Sequence, residues 1–339
     1  MYSYFGLITY LSAKGLHASR PDDYIPSATD YIQGFALIFL GCFDIIISTN
    51  KKIYGEKMIG IMDVGGGLRG NYVSGIIDYL LDNSIDIEYC LGVSAGSANL
   101  ITYIAGQRGR LKSFYEDYSF EKQYMSIGNY FSKGMYINLD YIYSDITNSY
   151  GKNPLDFEAV MKSPKRFVAA VTDAQTAEQK FFYKSDCAYD DFTLLKASCA
   201  LPVLTRQPVL FENGKYFDGG ISDPIPYKKA FDDGCDKLII CLTLPVNYKK
   251  SAFPKWLVNL LLFKYPQIAK AITMSHTLYH NRIAEILELE KQGKVLILYP
   301  EDCFGIKTAT RNKIGLNKLY ELGYKDAKNI ERFLNLSKN

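Results

Sequence analysis

The chain has 339 residues, 48% of them hydrophobic and 22% charged, and a formal net charge of +3. That is ordinary globular composition, enough for one large domain or two ordinary ones, and it excludes a disordered chain. So small a charge sustains no basic field, which argues against nucleic acid as a partner. The seven cysteines are scattered and form no CxxC pair. This favours a reduced, cytoplasmic-type compartment over a disulfide framework and argues against a zinc site.

Residues 1–57 read as an N-terminal extension. Its run "YIQGFALIFLGCFDIIIS" (31–48) approaches the roughly 20 apolar residues that a membrane span needs. Gln33, Gly34, Gly41 and Asp44 interrupt it, and an aspartate inside a span costs about 2.5–3.5 kcal/mol. The first residues lack the basic start of a secretory signal. An ordered or poorly ordered extension is expected here, with a membrane anchor as the alternative. Met58 opens a strand-like run directly, so the functional unit could begin there.

From Met58 strand and helix signals alternate. "MIGIMDV" (58–64) is a short buried strand, "GGGLRG" (65–70) its turn, and Val73, Ile76, Ile77, Leu80 and Leu81 then recur at helical spacing. "IEYCLGV" (87–93) is a second strand and 95–106 a second helix. This order predicts βαβ units and a parallel sheet with helices on its faces. The segment 107–165, rich in Tyr, Ser and Asn, is expected to hold helices and a covering loop. Strands return at 166–174 and 179–184, a helix at 190–200 stops before Pro202, and "GKYFDGGISDPIP" (214–226) runs from a strand into a glycine turn. A helix and the strand "DKLIICLTL" continue the alternation. After about 246 the pattern is mostly helical, with one strand-like run (294–300) and a last amphipathic helix (about 312–335). The division is therefore 1–57, a catalytic domain over 58–245, and a mostly helical extension over 246–339 packed on it.

Gly92-Val93-Ser94-Ala95-Gly96 fits G-x-S-x-G at a strand-to-helix corner. Such a turn projects the serine hydroxyl from the sheet edge, and the glycines allow the tight corner. The following helix aims free amides at the serine. By itself the pattern is also a common small-residue turn. Gly65, Gly66, Gly67 and Gly70 again follow a strand and precede a helix, and consecutive glycines expose a nest of backbone N–H groups suited to an anion. Beside a nucleophilic serine that anion is the oxygen of a tetrahedral intermediate. A plain tight turn is the alternative. Arg69 either places this loop or steers an anionic headgroup, unless it is simply a solvated surface residue.

The proton acceptor is the harder question. The chain has three histidines, and His17 lies in the extension. His276 and His280 stand one helical turn apart and fit a structural role better than a triad. Asp218, opening the turn at Gly219 and Gly220, is the better candidate. Its unperturbed pKa of about 3.9 makes it a weak base that burial would strengthen. D-G-G is also an ordinary turn.

Together, G-G-G-x-R-G, G-x-S-x-G and D-G-G in this order resemble the patatin-like phospholipases, particularly the bacterial members. "VTDAQTAEQKFF" (171–182) is similar to the family's T-D-x-x-T-G-x-x-x-F strand pair, and "KASCALPVL" (196–204) to its S-x-A-x-P segment. The resemblance covers about 59–230. It implies a three-layer α/β/α sandwich and a Ser–Asp dyad without histidine. Ser94 would be the nucleophile, Asp218 the base, and Gly65, Gly66, Gly67 and Gly70 the oxyanion loop. Arg69, Gly92, Gly96, Gly219 and Gly220 would support them. Val64 and Ala177 depart from the family pattern without touching the dyad.

The expected activity is hydrolysis of fatty-acyl esters in phospholipid or related lipid, with no metal or cofactor. An esterase using His276 or His280 is one rival. A catalytically silent lipid- or partner-binding relative is another. "FPKWLVNLLLFKYP" (253–266) carries the only Trp, Trp256. A run apolar all round is expected to be core, and an interfacial helix making peripheral membrane contact is the alternative. A cytoplasmic location is expected, with membrane association left open.

Overall fold

The structure, a computed structural model, describes residues 57–335. The N-terminal extension with its apolar run, Lys57 apart, lies outside these residues. The strands are β1 (Ile59–Asp63), β2 (Tyr89–Val93), β3 (Arg166–Asp173), β4 (Gln179–Tyr183), β5 (Val209–Phe211), β6 (Gly214–Asp218), β7 (Lys237–Cys241) and β8 (Val295–Leu298). Helices α1 (Asn71–Asp82) and α2 (Ala95–Ile104) follow the first two strands. Then come α3 (Arg110–Glu116), α4 (Ile127–Lys133), α5 (Phe157–Lys162), α6 (Thr193–Ser198) and α7 (Tyr227–Asp232). The C-terminal region holds α8 (Lys255–Leu261), α9 (Pro266–Lys291), α10 (Lys313–Asp326) and α11 (Lys328–Phe333).

β1, β2 and β7 are near-continuous apolar runs, and nearly all their residues are buried. That is the signature of parallel strands covered on both faces. The sheet runs β5-β6-β3-β2-β1-β7-β8, with β4 paired to β3. β3-β2-β1-β7-β8 are mutually parallel, while β4 and β6 run antiparallel to β3 and β5 antiparallel to β6. Alternate residues of each strand enter different cores. Ile61, Cys90, Phe167 and Ile239 pack with α1, α2, α6 and α10. Met62, Leu91, Val168 and Ile240 pack with α7 and α9. Helices on both faces of one mainly parallel sheet make the expected three-layer α/β/α architecture.

One feature of the pairing positions the site. β2 pairs with β3 up to Val93↔Ala170, and β6 takes over at Asp218↔Val171. β4 pairs with β3 from Val168 to Thr172, overlapping both, so β2 and β6 must share the opposite edge. They meet there end to end. The residue after β2 is Ser94, and the last residue of β6 is Asp218.

The region beyond 245 supplies more than a cover. β8 extends the sheet beside β7. α10 crosses α1 so closely that a Cβ on Gly75 would stand 2.0 Å from the Tyr320 oxygen, and one on Gly323 1.8 Å from the Tyr72 oxygen. α1 is consequently buried from Asn71 to Leu80 rather than on one face. The helix expected over 312–335 is two helices, α10 and α11, joined at Ala327. β5 has no counterpart among the expected strands.

The core expectation for 253–266 is overturned. Val258 and Leu262 face the body of the protein, but Phe253, Trp256, Leu260, Leu261 and Phe263 are exposed. A seven-residue helix lying on the surface has one inward side only, and among the described residues no further layer covers the other. Among the described residues no helix is long and apolar enough to cross a membrane.

Candidate active site

Ser94 sits at φ 56°, ψ −134°, between β2 and α2. A left-handed φ is strained for a side chain larger than glycine and persists only where the surroundings enforce it. Here Ser198 of α6 does so. Its hydroxyl accepts the Ser94 amide at 3.0 Å, donates to the Ala170 oxygen at 2.8 Å, and bonds the Ser97 hydroxyl at 2.9 Å. Gly92 and Gly96 leave room for the corner: a Cβ on Gly92 would lie 2.3 Å from Ser97 Cα, and one on Gly96 2.2 Å from the Asp63 oxygen.

Asp218 is buried at the end of β6. Ser94 and Asp218 line the same cavity, and the Ser94 side chain lowers the pKa of the Asp218 carboxyl. The Gly220 amide donates to Asp218 Oδ1 at 2.8 Å. Its own amide donates to the Ala200 oxygen at 2.9 Å, and the Thr172 hydroxyl donates to its carbonyl at 2.8 Å. Burial pushes the carboxyl pKa up to about 6, against the opposing pull of Ser94, the Gly220 amide and the nearby Lys250 ammonium. Gly219 packs on β3, where a Cβ would stand 2.4 Å from the Ala170 oxygen.

The glycine loop divides into parts with different surroundings. Gly65, Gly66 and Gly67 have φ of 68°, 134° and 61°, so the nest needs glycine at each position. The Gly65 amide is committed to Asp63 Oδ1 at 2.8 Å, and the Thr243 hydroxyl donates to its carbonyl. The amides of Gly66 and Gly67 donate to no acceptor among the described residues, nor does that of Ala95 at the start of α2. Gly70 stands apart, under the Tyr115 hydroxyl and the Asn99 amide. Arg69 Nη1 donates to Thr308 Oγ1 at 3.2 Å, its Nε is buried with no partner among the described residues, and burial lowers the guanidinium pKa.

Asp63, which sequence reasoning passed over, underlies this loop. It is fully buried, accepts Asn99 Nδ2 at 2.8 Å as well as the Gly65 amide, and burial pushes its pKa up to about 7. Asn99 in turn accepts the Tyr115 hydroxyl at 2.8 Å. The signals were an acidic residue at the mouth of the glycine turn and, for Ser198, the "KASCALPVL" segment itself. Cys199 was also missed. Its thiol meets the Tyr143 hydroxyl at 3.1 Å and the Ser94 side chain, and burial pushes its pKa up to about 12.

Ser94, Asp218, Gly67 and Ala95 open into one cavity. Its walls are mostly apolar and come largely from 98–155, with Leu195, Leu201 and Leu204. The inner lining includes Arg110, buried among the hydroxyls of Thr102 and Thr147 and the carbonyls of Asn153 and Pro154. The expected covering segment is therefore the cavity wall. Neither histidine lies there. His276 bonds the Thr273 oxygen and the Thr277 hydroxyl within α9, and His280 bonds the Lys250 oxygen.

Residues 64–231 match the model of the patatin-like phospholipase family. That stretch belongs to it. The patatin-like domain is followed by a match to a domain of unknown function, DUF6363, over residues 265–335. The uncharacterized protein YjjU of Escherichia coli K12 is 27% identical over 212 residues, which cover 58% of this chain and 55% of that protein. The chain thus spans about half the length of that curated relative. VipD from Legionella pneumophila aligns over 83% of this chain and 67% of its own at 12% identity and a TM-score of 0.41, a likeness too slight to argue from.

Proposed function

We propose that the protein is a serine lipid acyl hydrolase of phospholipase A or lysophospholipase type, with Ser94 and Asp218 as a catalytic dyad. The observation that carries this reading is that Ser94 and Asp218, a buried carboxylate whose pKa is raised to about 6, open into one apolar cavity. A raised carboxylate pKa suits a general base working near neutrality.

In the proposed reaction Ser94 Oγ attacks the ester carbonyl and Asp218 accepts its proton. The oxyanion is stabilised by the free amides of Gly66 and Gly67, with that of Ala95. Gly65 and Gly70 act on the loop's shape, since the Gly65 amide is already used and Gly70 lies under Tyr115. Asp218 returns the proton to the departing alcohol, leaving an acyl-enzyme. Water then gives its proton to Asp218 as it attacks, and Ser94 and the fatty acid are released. The acyl chain lies in the cavity, where each buried methylene contributes about 0.8 kcal/mol. Residues 58–245 are proposed as the catalytic unit, and the region from 246 supports it.

Labelling of the full chain with a fluorophosphonate probe, with peptide mapping, tests the nucleophile. Modification at Ser94 that is lost in Ser94→Ala, together with release of fatty acid from mixed phospholipid micelles, is expected. Absence of both labelling and turnover would sink the proposal.

A further inference from the structure

We propose that α8 and the turns beside it form a docking face for anionic phospholipid bilayers. The proposal takes its occupant from the lipid-hydrolase reading, while the surface itself rests on separate observations. Trp256 is 69% exposed, Leu260 65%, Leu261 51% and Phe263 72%, on a short helix anchored by buried Val258 and Leu262. Side chains of this size are seldom left in water together on a monomer's surface unless something covers them.

Charge identifies the cover. Between Leu242 and Ala284 the sequence has no Asp or Glu, whereas exposed Lys249, Lys255, Lys264 and Lys270 lie within the helix and on either side of it in the sequence. None of these lysines pairs with a carboxylate among the described residues. An apolar ridge with a tryptophan, flanked by unpaired lysines, matches the interface of a bilayer with negative headgroups. A protein partner complementary to it would have to supply both an apolar groove and a ring of acids.

The position of α8 suits a substrate arriving from that surface. Just past the helix, Tyr265 packs edge-on against Phe217, the neighbour of Asp218, with ring centroids 5.1 Å apart. The Tyr265 hydroxyl donates to Gln207 Oε1 at 3.0 Å. Adjacent Arg206 stacks over Tyr130 of α4 at 4.4 Å, and α4 exposes Ile127 and Phe131. Cavity-lining Met125, Leu201, Leu204 and Thr205 belong to the same two segments. The exposed apolar residues therefore lie along the segments that form the cavity.

Because Trp256 is the only tryptophan, emission excited selectively at tryptophan, at the red edge where tyrosine does not absorb, reports this helix alone. The full chain is titrated with vesicles of phosphatidylcholine, with and without about one third phosphatidylglycerol, at low and high salt. Emission should shift to the blue on the anionic vesicles, and salt should weaken binding. By sedimentation, a Leu260→Ala/Phe263→Ala variant should lose at least tenfold in vesicle partitioning while keeping its melting temperature. Lys255→Gln and Lys264→Gln should each lose roughly fivefold, on anionic vesicles only. Ser94→Ala should bind as the unaltered chain does, so failure of the hydrolase reading and failure of docking are separable. Emission already blue-shifted without vesicles and unchanged by them would overturn the proposal and assign the face to residues 1–56 or a second copy. Equal partitioning of the unaltered and Leu260→Ala/Phe263→Ala chains would also overturn it.

Discussion

Two regions of the protein meet at the cavity, and they are built differently. The corner at 92–96, the glycine loop and the turn at 218–220 are short, backbone-defined pieces. Each is held within a few residues of a strand end by main-chain geometry, such as the φ of 56° at Ser94 or 68° at Gly65. The wall from 98 to 155 is assembled from several short segments, among them α3 and the π-helical turn Tyr141–Ile146, and its shape exists only through packing. On the proposed reading, the first region carries the reactive groups that any ester would meet, and the second decides which acyl chain fits.

That contrast yields tests of decreasing size. Ser94→Ala should abolish hydrolysis of p-nitrophenyl esters. Asp218→Asn should lower kcat by about 10³-fold, within the range for loss of a general base, whatever the chain length. In the unaltered chain kcat should rise with pH through about 6, as Asp218 ionises. Retention of most activity by Asp218→Asn would remove the dyad from the first region.

Gly67→Ala places a Cβ 2.3 Å from the Thr308 oxygen and displaces an amide that faces the cavity. A loss of about 10²–10³-fold in kcat, equal for butyrate and palmitate esters, is expected from an oxyanion donor. A loss confined to long chains would move Gly67 into the wall.

Stability supplies an independent check on Asp218. Its folded pKa of about 6 exceeds the usual carboxylate value, so the ionised form is disfavoured in the native state. Its contribution to stability is fully present below about pH 4 and is lost as pH rises through 6. Asp218→Asn escapes that loss and should be the more stable protein at pH 8, by up to about 3 kcal/mol in urea unfolding. No gain at pH 8 would mean that the carboxylate is not desolvated.

Substitutions in the wall should act on preference rather than on chemistry. Ala98→Leu adds three carbons to the cavity wall, so kcat/KM for palmitate should fall by roughly 50-fold relative to butyrate, at about 0.8 kcal/mol for each methylene displaced. An equal loss on both esters would erase the distinction between the regions. The smallest effect is expected at Lys250, whose charge holds the Asp218 pKa down. Lys250→Met should move the acid limb of kcat to higher pH, by less than any change above.

Legibility in the sequence followed the same division. The parallel strands were readable because burial on both faces writes uninterrupted apolar runs such as "YCLGV". The candidate residues Ser94, Asp218 and Gly65–Gly67 were readable because tight turns demand glycine at particular positions. Asp63 and Ser198 were present in the quoted segments, but their roles depend on partners distant in sequence. Asn99 lies 36 positions from Asp63, and Ser198 lies 104 from Ser94. Nothing local marks such pairs. The segment 107–165 has no sustained period, because its helices are short and face a hollow. The run 253–266 misled for a different reason: apolar residues on every side of a helix do not say whether a second layer covers them.

The sequence by itself determined the sheet, its helical layers and the two turns that carry Ser94 and Asp218, because hydrophobic period and glycine placement act over a few residues. Tertiary structure decided that β2 and β6 meet end to end on one edge of β3 and so bring those turns together. It also hollowed the cavity and left α8 facing outward. Those outcomes depend on which elements pack against which, and pairwise contacts across tens to hundreds of residues leave no local trace in composition.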